Sequence, residues 1–334
     1  MNFSTVRWGM IGAGDVTEVK SGPALYKTPH SELVAVMRRN GAKAADYAKR
    51  HGVPRWYDDA EALLHDPDVN AIYVATPPNT HAEYAIRAME AGKPVYVEKP
   101  MAMNYAECRR MVEVSEATGQ PLFVAYYRRR LPTFLKVKEL LEAGAIGDLR
   151  FVNLSLYQAP KPHDVDGSGA WRTNPAVAGG GYFFDLGSHQ LDLLDYFLGE
   201  IREVHSVVAN QGAYYTSEDV LSASFRFASG VVGSATWCFT TGQAAETDRT
   251  ELVGSLGRIT YETFKPSPVV LETSVGIEKL PFEYPPHVHQ PLVETVVQAL
   301  RGEGTCPSTG ISAARTSRVM DELVQPYYAR TARS

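Results

Sequence analysis

VRWGMIGAGDVT, residues 6–17, decides the fold, because an apolar strand pattern runs here into two closely spaced glycines and then into a stretch that favours a helix. Gly12 permits the tight turn after the strand, and Gly14 permits close approach of the backbone to a pyrophosphate at the helix N-terminus. Thr17 stands where such a motif would carry its third glycine. A turn that binds nothing is the alternative. The predicted cofactor contacts in this segment are Gly12, Gly14, Asp15 and Val16.

Strand and helix patterns alternate through the first third of the chain. Apolar runs such as AIYVATP (71–77) and KPVYVEKP (93–100) are separated by amphipathic stretches. This alternation predicts a parallel sheet with crossover helices. From Asp148 onward, strand-like runs joined by short glycine turns predict a large, mostly antiparallel open sheet. We therefore predict an α/β protein with a dinucleotide-binding domain over residues 1–124 and a second α/β domain over residues 125–334.

The composition excludes several classes of protein. The chain has 334 residues, of which 44% are apolar, and it is long enough for two globular domains. With 33 basic and 38 acidic residues the net charge is -5, so no nucleic-acid partner is expected. Three widely spaced cysteines argue against a disulfide framework. The N-terminus lacks a signal-peptide pattern and no apolar run is long enough to span a membrane, so we expect a cytoplasmic protein without a membrane partner.

Two arginines, Arg38 and Arg39, end the second strand pattern. An enzyme that uses NAD would usually carry an acidic residue here, which binds the ribose hydroxyls of the adenosine. A guanidinium instead matches a phosphate group with two parallel hydrogen bonds. The pair therefore predicts that NADP(H) is favoured over NAD(H), with two solvated surface arginines as the alternative.

Polar residues follow two further strand patterns of the first domain. In an open parallel sheet the ligand crevice lies beyond the carboxyl ends of the strands, so these residues should face the same crevice as the glycine turn. Lys99 follows an apolar strand and precedes a proline that permits a cis peptide. A solvent-exposed lysine is the alternative to an ammonium near the nicotinamide. The predicted cofactor contacts in this group are Thr76, Pro77, Asn79, His81, Glu98 and Lys99.

A glycine run opens the segment GGGYFFDLGSHQLDLLDYFLG, residues 179–199. Asp185, His189 and Asp192 are spaced four and then three residues apart, which places all three on one face of a single helix. An Asp185 that only caps the helix, beside an incidental histidine, is the alternative. His163 is the nearest further histidine, and no metal site is predicted because ligand spacing is absent.

Other polar residues give weaker indications. Tyr126 and Arg128 begin the second domain and could contact substrate, with an exposed basic linker as an equal possibility. Arg172 precedes the glycine run, where it is a candidate for contact with cofactor or substrate. His287 and His289 precede a predicted helix, and we interpret both as capping or surface residues.

Taken in order and at these separations, GAGDVT, ATPPNTH, VEKP and GGGYFFDLGSHQLDLLDYFLG resemble the Gfo/Idh/MocA family, named for glucose-fructose oxidoreductase and inositol dehydrogenase. The resemblance covers nearly the whole chain. It implies an N-terminal Rossmann domain and a C-terminal α/β domain whose open sheet commonly joins subunits, so a homodimer or homotetramer is expected. It also implies hydride transfer between a nicotinamide and a sugar, inositol or related polyol.

The resemblance further implies residue roles. Lys99, Asp185 and His189 would form the catalytic group, and Asp192 would contact substrate. A histidine with a pKa near neutrality suits proton transfer in either direction, and a lysine can stabilise a developing alkoxide. The sequence leaves open whether His189 or Lys99 moves the proton.

Two other functions remain open at this point. A glycosidase can use a tightly held nicotinamide for transient oxidation, as an exception to the two-carboxylate mechanism. A non-catalytic sensor of dinucleotides could share the fold, because fold does not determine function. Such a sensor would have no need of the lysine, aspartate and histidine together.

Overall fold

The computed structural model describes residues 2–169 and 171–331, which form two compact units. The first unit consists of the chain up to Arg130 together with Pro285–Ala314. The second unit consists of Leu131–Tyr284 together with the residues from Arg315 onward. Each unit has its own sheet, and together they carry the α/β fold predicted from the sequence.

The first unit is built on six parallel strands in the order β3-β2-β1-β4-β5-β6. The strand order reverses between β1 and β4, which is where a sheet of this kind opens its ligand crevice. The predicted parallel sheet is therefore confirmed. The short β3 was not predicted, because a three-residue strand offers too little periodicity to recognise. The strands are β1 Val6–Ile11, β2 Ser31–Met37, β3 Arg55–Tyr57, β4 Ala71–Val74, β5 Val95–Val97 and β6 Leu122–Val124.

Six helices connect these strands, and their ends follow from capping residues. The Asn104 side chain accepts a hydrogen bond from the Glu107 amide and begins α6, which ends before Gly119 at a φ of 67°. The first crossover is divided into two short helices, with Pro23 in the first turn of the second. The helices are α1 Asp15–Val19, α2 Gly22–Lys27, α3 Gly41–His51, α4 Ala60–Leu64, α5 His81–Glu90 and α6 Tyr105–Thr118.

The second unit contains an eight-stranded sheet in the order β14-β13-β12-β11-β7-β10-β9-β8. Only the pairing of β7 with β10 is parallel, and every other described pair is antiparallel. The predicted large, mostly antiparallel sheet is confirmed. The strands are β7 Leu149–Tyr157, β8 Ile201–Ala209, β9 Val220–Phe227, β10 Val232–Cys238, β11 Thr247–Gly254, β12 Gly257–Tyr261, β13 Val269–Thr273 and β14 Gly276–Leu280.

The two faces of this sheet differ sharply in polarity. On one face Leu221 and Trp237 are buried side by side. On the other face the Ser222 and Thr236 hydroxyls lie 3.1 Å apart and belong to a row of small polar side chains. The sequence segments EDVLSASFRF (218–227) and GVVGSATWCF (230–239) suggest apolar residues on both faces of β9 and β10, and the structure shows that this expectation is wrong. Strict alternation places serine and threonine opposite the core in both strands.

Helices cover the apolar face of the second sheet. The Trp237 indole donates a 2.7 Å hydrogen bond to the Gln190 side chain and so joins β10 to α10. The ring of Phe134 on α7 packs edge-on against Tyr261 of β12. The helices of this unit up to its last strand are α7 Pro132–Glu142, α8 Pro162–Val165, α9 Pro175–Ala178 and α10 Ser188–Leu198.

The chain returns to the first unit near its end. The sequence places residues 285–314 in the second domain, whereas in the structure they belong to the first unit, and that unit also continues past residue 124 to Arg130. The return includes α11, Gln290–Arg301, whose apolar side chains Leu292 and Val296 are fully buried. A periodic pattern shows that a helix has an apolar face but does not show which core it covers. The last helix, α12, is Gly310–Thr331.

None of the helices in the described ranges combines the length and apolar character that crossing a membrane requires.

Candidate active site

The glycine turn after β1 is shaped by close contact with the loop after β4. Gly12 has a φ of 99°, and a Cβ atom there would lie 2.7 Å from the Thr76 backbone nitrogen, so only glycine fits. At Gly14 a Cβ would meet nothing within 4 Å, so the backbone faces open space. Thr17 is fully buried and its hydroxyl donates to the Gly14 carbonyl at 2.7 Å. The threonine thus holds the turn at the position where the motif lacks a glycine.

Arg38 lies against this turn. Its guanidinium Nη1 donates a 2.9 Å hydrogen bond to the Ala13 carbonyl, between the two glycines. Arg39 is exposed, and the next residue, Asn40, caps α3. The structure therefore brings Arg38, rather than Arg39, to the glycine turn.

The loop after β4 carries four of the predicted cofactor contacts. Pro77 and Asn79 are exposed, and the Thr80 hydroxyl donates to the Thr76 hydroxyl at 2.7 Å. The His81 ring is buried, with Nε2 at 2.7 Å from the Thr76 carbonyl and Nδ1 at 3.0 Å from the Pro100 carbonyl. Burial lowers the pKa of His81 to about 4. His81 thus joins the ends of β4 and β5 through backbone contacts.

Glu98 and Lys99 follow β5, and the peptide between Lys99 and Pro100 is cis. Glu98 is buried, accepts a 2.5 Å hydrogen bond from the Tyr73 hydroxyl, and lies 3.6 Å from the Nδ1 atom of His289. Burial raises the pKa of the Glu98 carboxyl, and the Tyr73 hydrogen bond partly opposes this. The Glu98 carboxylate also accepts a 3.2 Å hydrogen bond from the Lys99 amide, so this buried residue helps to hold the backbone at Lys99.

His289 is a correction to the interpretation from the sequence. It is 1% exposed and its ring stacks on Tyr127 at 4.3 Å, so it is neither a surface residue nor a side-chain cap of α11. Burial lowers the pKa of His289 to about 3. His287, in contrast, remains near the surface and contacts the Val19 carbonyl at 2.7 Å through Nδ1. No local signal distinguishes the two histidines, because the return of the chain decides which one is buried.

Tyr126 and Arg128 are both buried in the first unit. Tyr126 has no exposed surface and belongs to the apolar core cluster of that unit. The Arg128 guanidinium lies over the Tyr127 ring at 5.2 Å from its centroid. These positions do not match an exposed linker.

In the second unit, Asp185, His189 and Asp192 do not share one regular α-helix. Asp185 lies in a π-helical turn, Phe183–Gly187, that precedes α10, whereas His189 and Asp192 lie on α10 itself. The Asp185 side chain is 24% exposed, whereas His189 and Asp192 are buried. Helical spacing therefore applies directly only to His189 and Asp192. The capping alternative is wrong, because the first turn has no side-chain cap.

Two cations accompany Asp185. The Arg172 Nε atom lies 3.3 Å from an Asp185 oxygen, and its guanidinium lies over the Trp171 ring. The Lys161 ammonium lies 3.8 Å from the centroid of the Tyr182 ring. Burial lowers the pKa of Lys161, and the charge of Asp185 partly opposes this. Lys161 was not identified from the sequence, since nothing in KPHDVDG relates it to a motif twenty residues later.

The glycine run before Asp185 is held by a buried carboxylate that was also missed. Glu218 accepts a 2.9 Å hydrogen bond from the Gly181 amide and a 2.6 Å hydrogen bond from the Tyr328 hydroxyl. Burial raises the pKa of Glu218 to about 7. Among the described residues, no group of three or more His, Cys, Asp or Glu side chains is arranged to hold a metal ion.

Two family models match the chain. Residues 6–126 match an oxidoreductase family with an NAD-binding Rossmann fold, and residues 134–260 match the GFO/IDH/MocA C-terminal domain. Oxidoreductase P35 of Formosa agariphila is 39% identical over 319 residues, which cover 95% of this chain and 98% of that protein. The chain belongs to the Gfo/Idh/MocA oxidoreductase family.

Other members of the Gfo/Idh/MocA family have similar sequences or folds. The 1,5-anhydro-D-fructose reductase of Ensifer adhaerens is 30% identical over 315 residues, 91% of each chain. A levoglucosan dehydrogenase solved with NADH and levoglucosan superimposes with a TM-score of 0.85 at 22% identity, covering 97% of this chain and 98% of that one. The latter similarity concerns the fold.

Membership of the Gfo/Idh/MocA family confirms the resemblance derived from the motifs. The protein is an oxidoreductase whose first unit is an NAD(P)-binding Rossmann domain. The glycine turn fits a dinucleotide, since the backbone at Gly14 is open and the turn is held from beneath by Thr17 and Thr76.

Proposed function

We propose that this protein transfers hydride between a nicotinamide cofactor and a carbinol or carbonyl carbon of a sugar, inositol or related polyol. The observation that carries the proposal lies within the first unit. Gly12 packs against Thr76, and His81 joins the Thr76 carbonyl to the Pro100 carbonyl beside Lys99. This chain of contacts supports the assignment of Lys99 and the glycine turn to one crevice at the carboxyl edge of the parallel sheet.

The cofactor would be held by the Gly12–Gly14 turn, with Arg38 at its adenosine end and the loops after β4 and β5 at its nicotinamide end. Nicotinamide supplies or accepts the hydride when it is bound. His189 exchanges the hydroxyl proton of the substrate, and Lys99 donates a hydrogen bond to the reacting oxygen as charge develops on it. Asp185 keeps the cations around the substrate charged and positioned, and Asp192 contacts the substrate.

A substrate screen tests this proposal. Aldoses, ketoses, inositols and dehydro-sugars are offered with NADP and with NAD, and turnover is read at the nicotinamide absorbance. We expect oxidation or reduction of at least one polyol or keto-sugar. Release of a sugar leaving group without net change in absorbance would instead assign a glycosidase, and cofactor binding without any turnover would assign a sensor.

We propose that NADP binds more tightly than NAD, because Arg38 occupies the place of a ribose-binding carboxylate. A hydrogen bond to a charged group contributes about 1.5–3 kcal/mol, so the preference should be roughly tenfold to hundredfold. Replacing Arg38 by aspartate should remove or reverse the preference, because a carboxylate repels the 2′-phosphate. The preference is measured as the ratio of the dissociation constants for the two cofactors at fixed salt. Arg110→Asp, at an exposed arginine, is the control. Equal wild-type affinities, or an unchanged ratio in Arg38→Asp, would rule the preference out.

We further propose a homodimer or homotetramer that associates through the polar face of β8, β9 and β10. On this face Ser222 and Ser224 are exposed, together with the apolar Val207 and Val232. Exposed apolar side chains on a sheet face are typical of subunit interfaces. Sedimentation at micromolar concentration should show the oligomer, and Ser224→Arg should shift it toward the monomer. The control Ser229→Arg, in the turn between β9 and β10, should leave the oligomer intact. A monomeric wild type would contradict the proposal.

Cytoplasmic location remains a prediction from the sequence.

A further inference from the structure

A cavity of about 630 Å³ lies at one end of the sheet of the second unit. Its wall includes the ends of β7 and β12 and the beginnings of β11 and β13. Tyr157 and Tyr261 contribute aromatic surface to it. The volume lies within the range of pockets that enclose small organic ligands, so a monosaccharide or disaccharide fits.

Two residues of this wall connect the cavity to the proposed catalytic side chains of the second unit. Lys161 lines the cavity, and the charge of Asp185 acts on its ammonium. Phe264 also lines it, and its ring centroid lies 6.1 Å from that of His189. The cavity therefore borders the place where Asp185 and His189 lie.

The charged side chains of the wall differ in whether they already have hydrogen-bond or ion-pair partners. Asp248 accepts hydrogen bonds from the Thr263 and Phe264 amides at 2.9 and 2.6 Å, and Glu246 accepts one from the Ala159 amide at 3.1 Å. These two carboxylates are thus occupied by backbone donors, Arg249 pairs with Glu251, and Glu262 is the remaining carboxylate of the wall.

Three lysine ammonium groups of the wall differ from these carboxylates. Within the part of the chain that the structure describes, Lys161, Lys265 and Lys279 form no ion pair with a carboxylate. The cavity consequently offers several ammonium groups to a ligand that carries anionic oxygens.

We propose that this cavity binds the anionic group of a carbohydrate, a carboxylate, sulfate or phosphate, and so selects acidic sugars as substrates. That acidic sugars are substrates rests on the proposed oxidoreductase function. That they bind here rests on the cavity alone. Lys161 and Lys265 would hold the anionic oxygens, while the sugar ring would pack on the aromatic wall and direct a carbinol toward His189. Neither lysine takes part in the transfer of hydride or proton.

The test compares acidic sugars with their neutral counterparts. Glucuronate, galacturonate, glucose 6-phosphate and glucose 6-sulfate are titrated into the NADP-loaded protein by calorimetry, beside glucose and galactose, and turnover is followed in parallel. We expect at least one acidic sugar to bind ten times more tightly or better than its neutral counterpart. Comparing the uronates, the sugar phosphate and the sugar sulfate also shows which anionic group the cavity recognises.

Two variants locate the binding energy. Lys161→Met and Lys265→Met should each raise the dissociation constant and KM of the preferred acidic sugar by about tenfold to hundredfold, the loss expected for a charged hydrogen bond. Neutral sugars should be affected less than threefold in Lys265→Met, which lies on an exposed loop. The control Lys49→Met, at an exposed lysine of α3, should match the wild type.

The outcomes separate this inference from the proposed function. The inference would be overturned if no acidic sugar were preferred, or if both variants lost affinity equally for acidic and neutral sugars. In that case, turnover of neutral polyols would still support the oxidoreductase proposal. Binding of an acidic sugar that is lost in both variants, without turnover of any sugar, would support the cavity and reject the oxidoreductase proposal.

Discussion

Replacement of Lys99 by methionine should lower kcat by about a hundredfold to ten-thousandfold, with a similar loss in His189→Ala. Methionine preserves the length and apolar stem of lysine but cannot donate a hydrogen bond to an oxygen that becomes charged. His189 is buried on α10, so its removal takes away a positioned imidazole rather than a solvent-exposed one. Single-turnover and steady-state rates on the preferred substrate measure both effects.

Cofactor affinity distinguishes a chemical role from damage to the fold. The dissociation constant for NADP should change by less than about threefold in either variant, because the glycine turn and Arg38 are untouched. Near-normal kcat in both variants would remove the catalytic assignment. Equal losses of kcat and of cofactor affinity would show that the loop after β5 had been disturbed instead. A pH profile that loses one limb in His189→Ala but keeps it in Lys99→Met would assign the proton to the histidine.

Replacement of Glu218 by glutamine should make the second unit more stable at alkaline pH. Burial raises the pKa of Glu218 to about 7 from its ordinary value of 4.5. The folded state therefore holds a proton between these values that the unfolded state has released, and stability falls as pH rises through this window. The difference between these two pKa values corresponds to about 3 kcal/mol. Glutamine can still accept from the Gly181 amide and can donate to Tyr328, but carries no charge.

Urea denaturation of the wild type and Glu218→Gln between pH 4.5 and 8 measures this difference directly. The difference in unfolding free energy between the variant and the wild type should grow by about 3 kcal/mol in favour of the variant across that range. Above that range the difference should change little. The exposed Glu283→Gln provides the matched control and should follow the wild type. A constant difference between variant and wild type at all pH values would show that the Glu218 proton is not coupled to folding.

The parts of the fold that the sequence predicted well are those in which local pattern and tertiary position agree. Gly12 and Gly14 follow a buried strand in sequence and also lie at the edge where the sheet reverses, so one motif predicts both. The strands of the second sheet alternate clearly, and their mostly antiparallel pairing followed from short glycine turns. The predicted cis-compatible Lys99–Pro100 bond is observed as cis.

The parts that escaped prediction depend on contacts between distant residues. His289 is buried because residues 285–314 return to the first unit, and periodicity carries no information on that return. Glu218 reaches Gly181 and Tyr328 from a loop without a motif, and Lys161 meets Tyr182 across a similar gap in sequence. Asp185 was assigned to a regular helix because its spacing of four does not distinguish an α-helix from a π-helical turn.

The division of the first unit between the two ends of the chain has a consequence for how the protein is made on the ribosome. Residues up to Arg130 emerge early, but α11 and the buried His289 belong to Pro285–Ala314 and emerge much later. At about 5–20 residues per second, roughly 8–30 s separate the two pieces. During that interval the nascent Rossmann sheet lacks part of its apolar cover, with Glu98 deprived of its histidine neighbour. The second unit is divided too, because Leu131–Tyr284 emerges before α11 and the residues from Arg315 onward follow it, so each unit is completed only after part of the other has emerged.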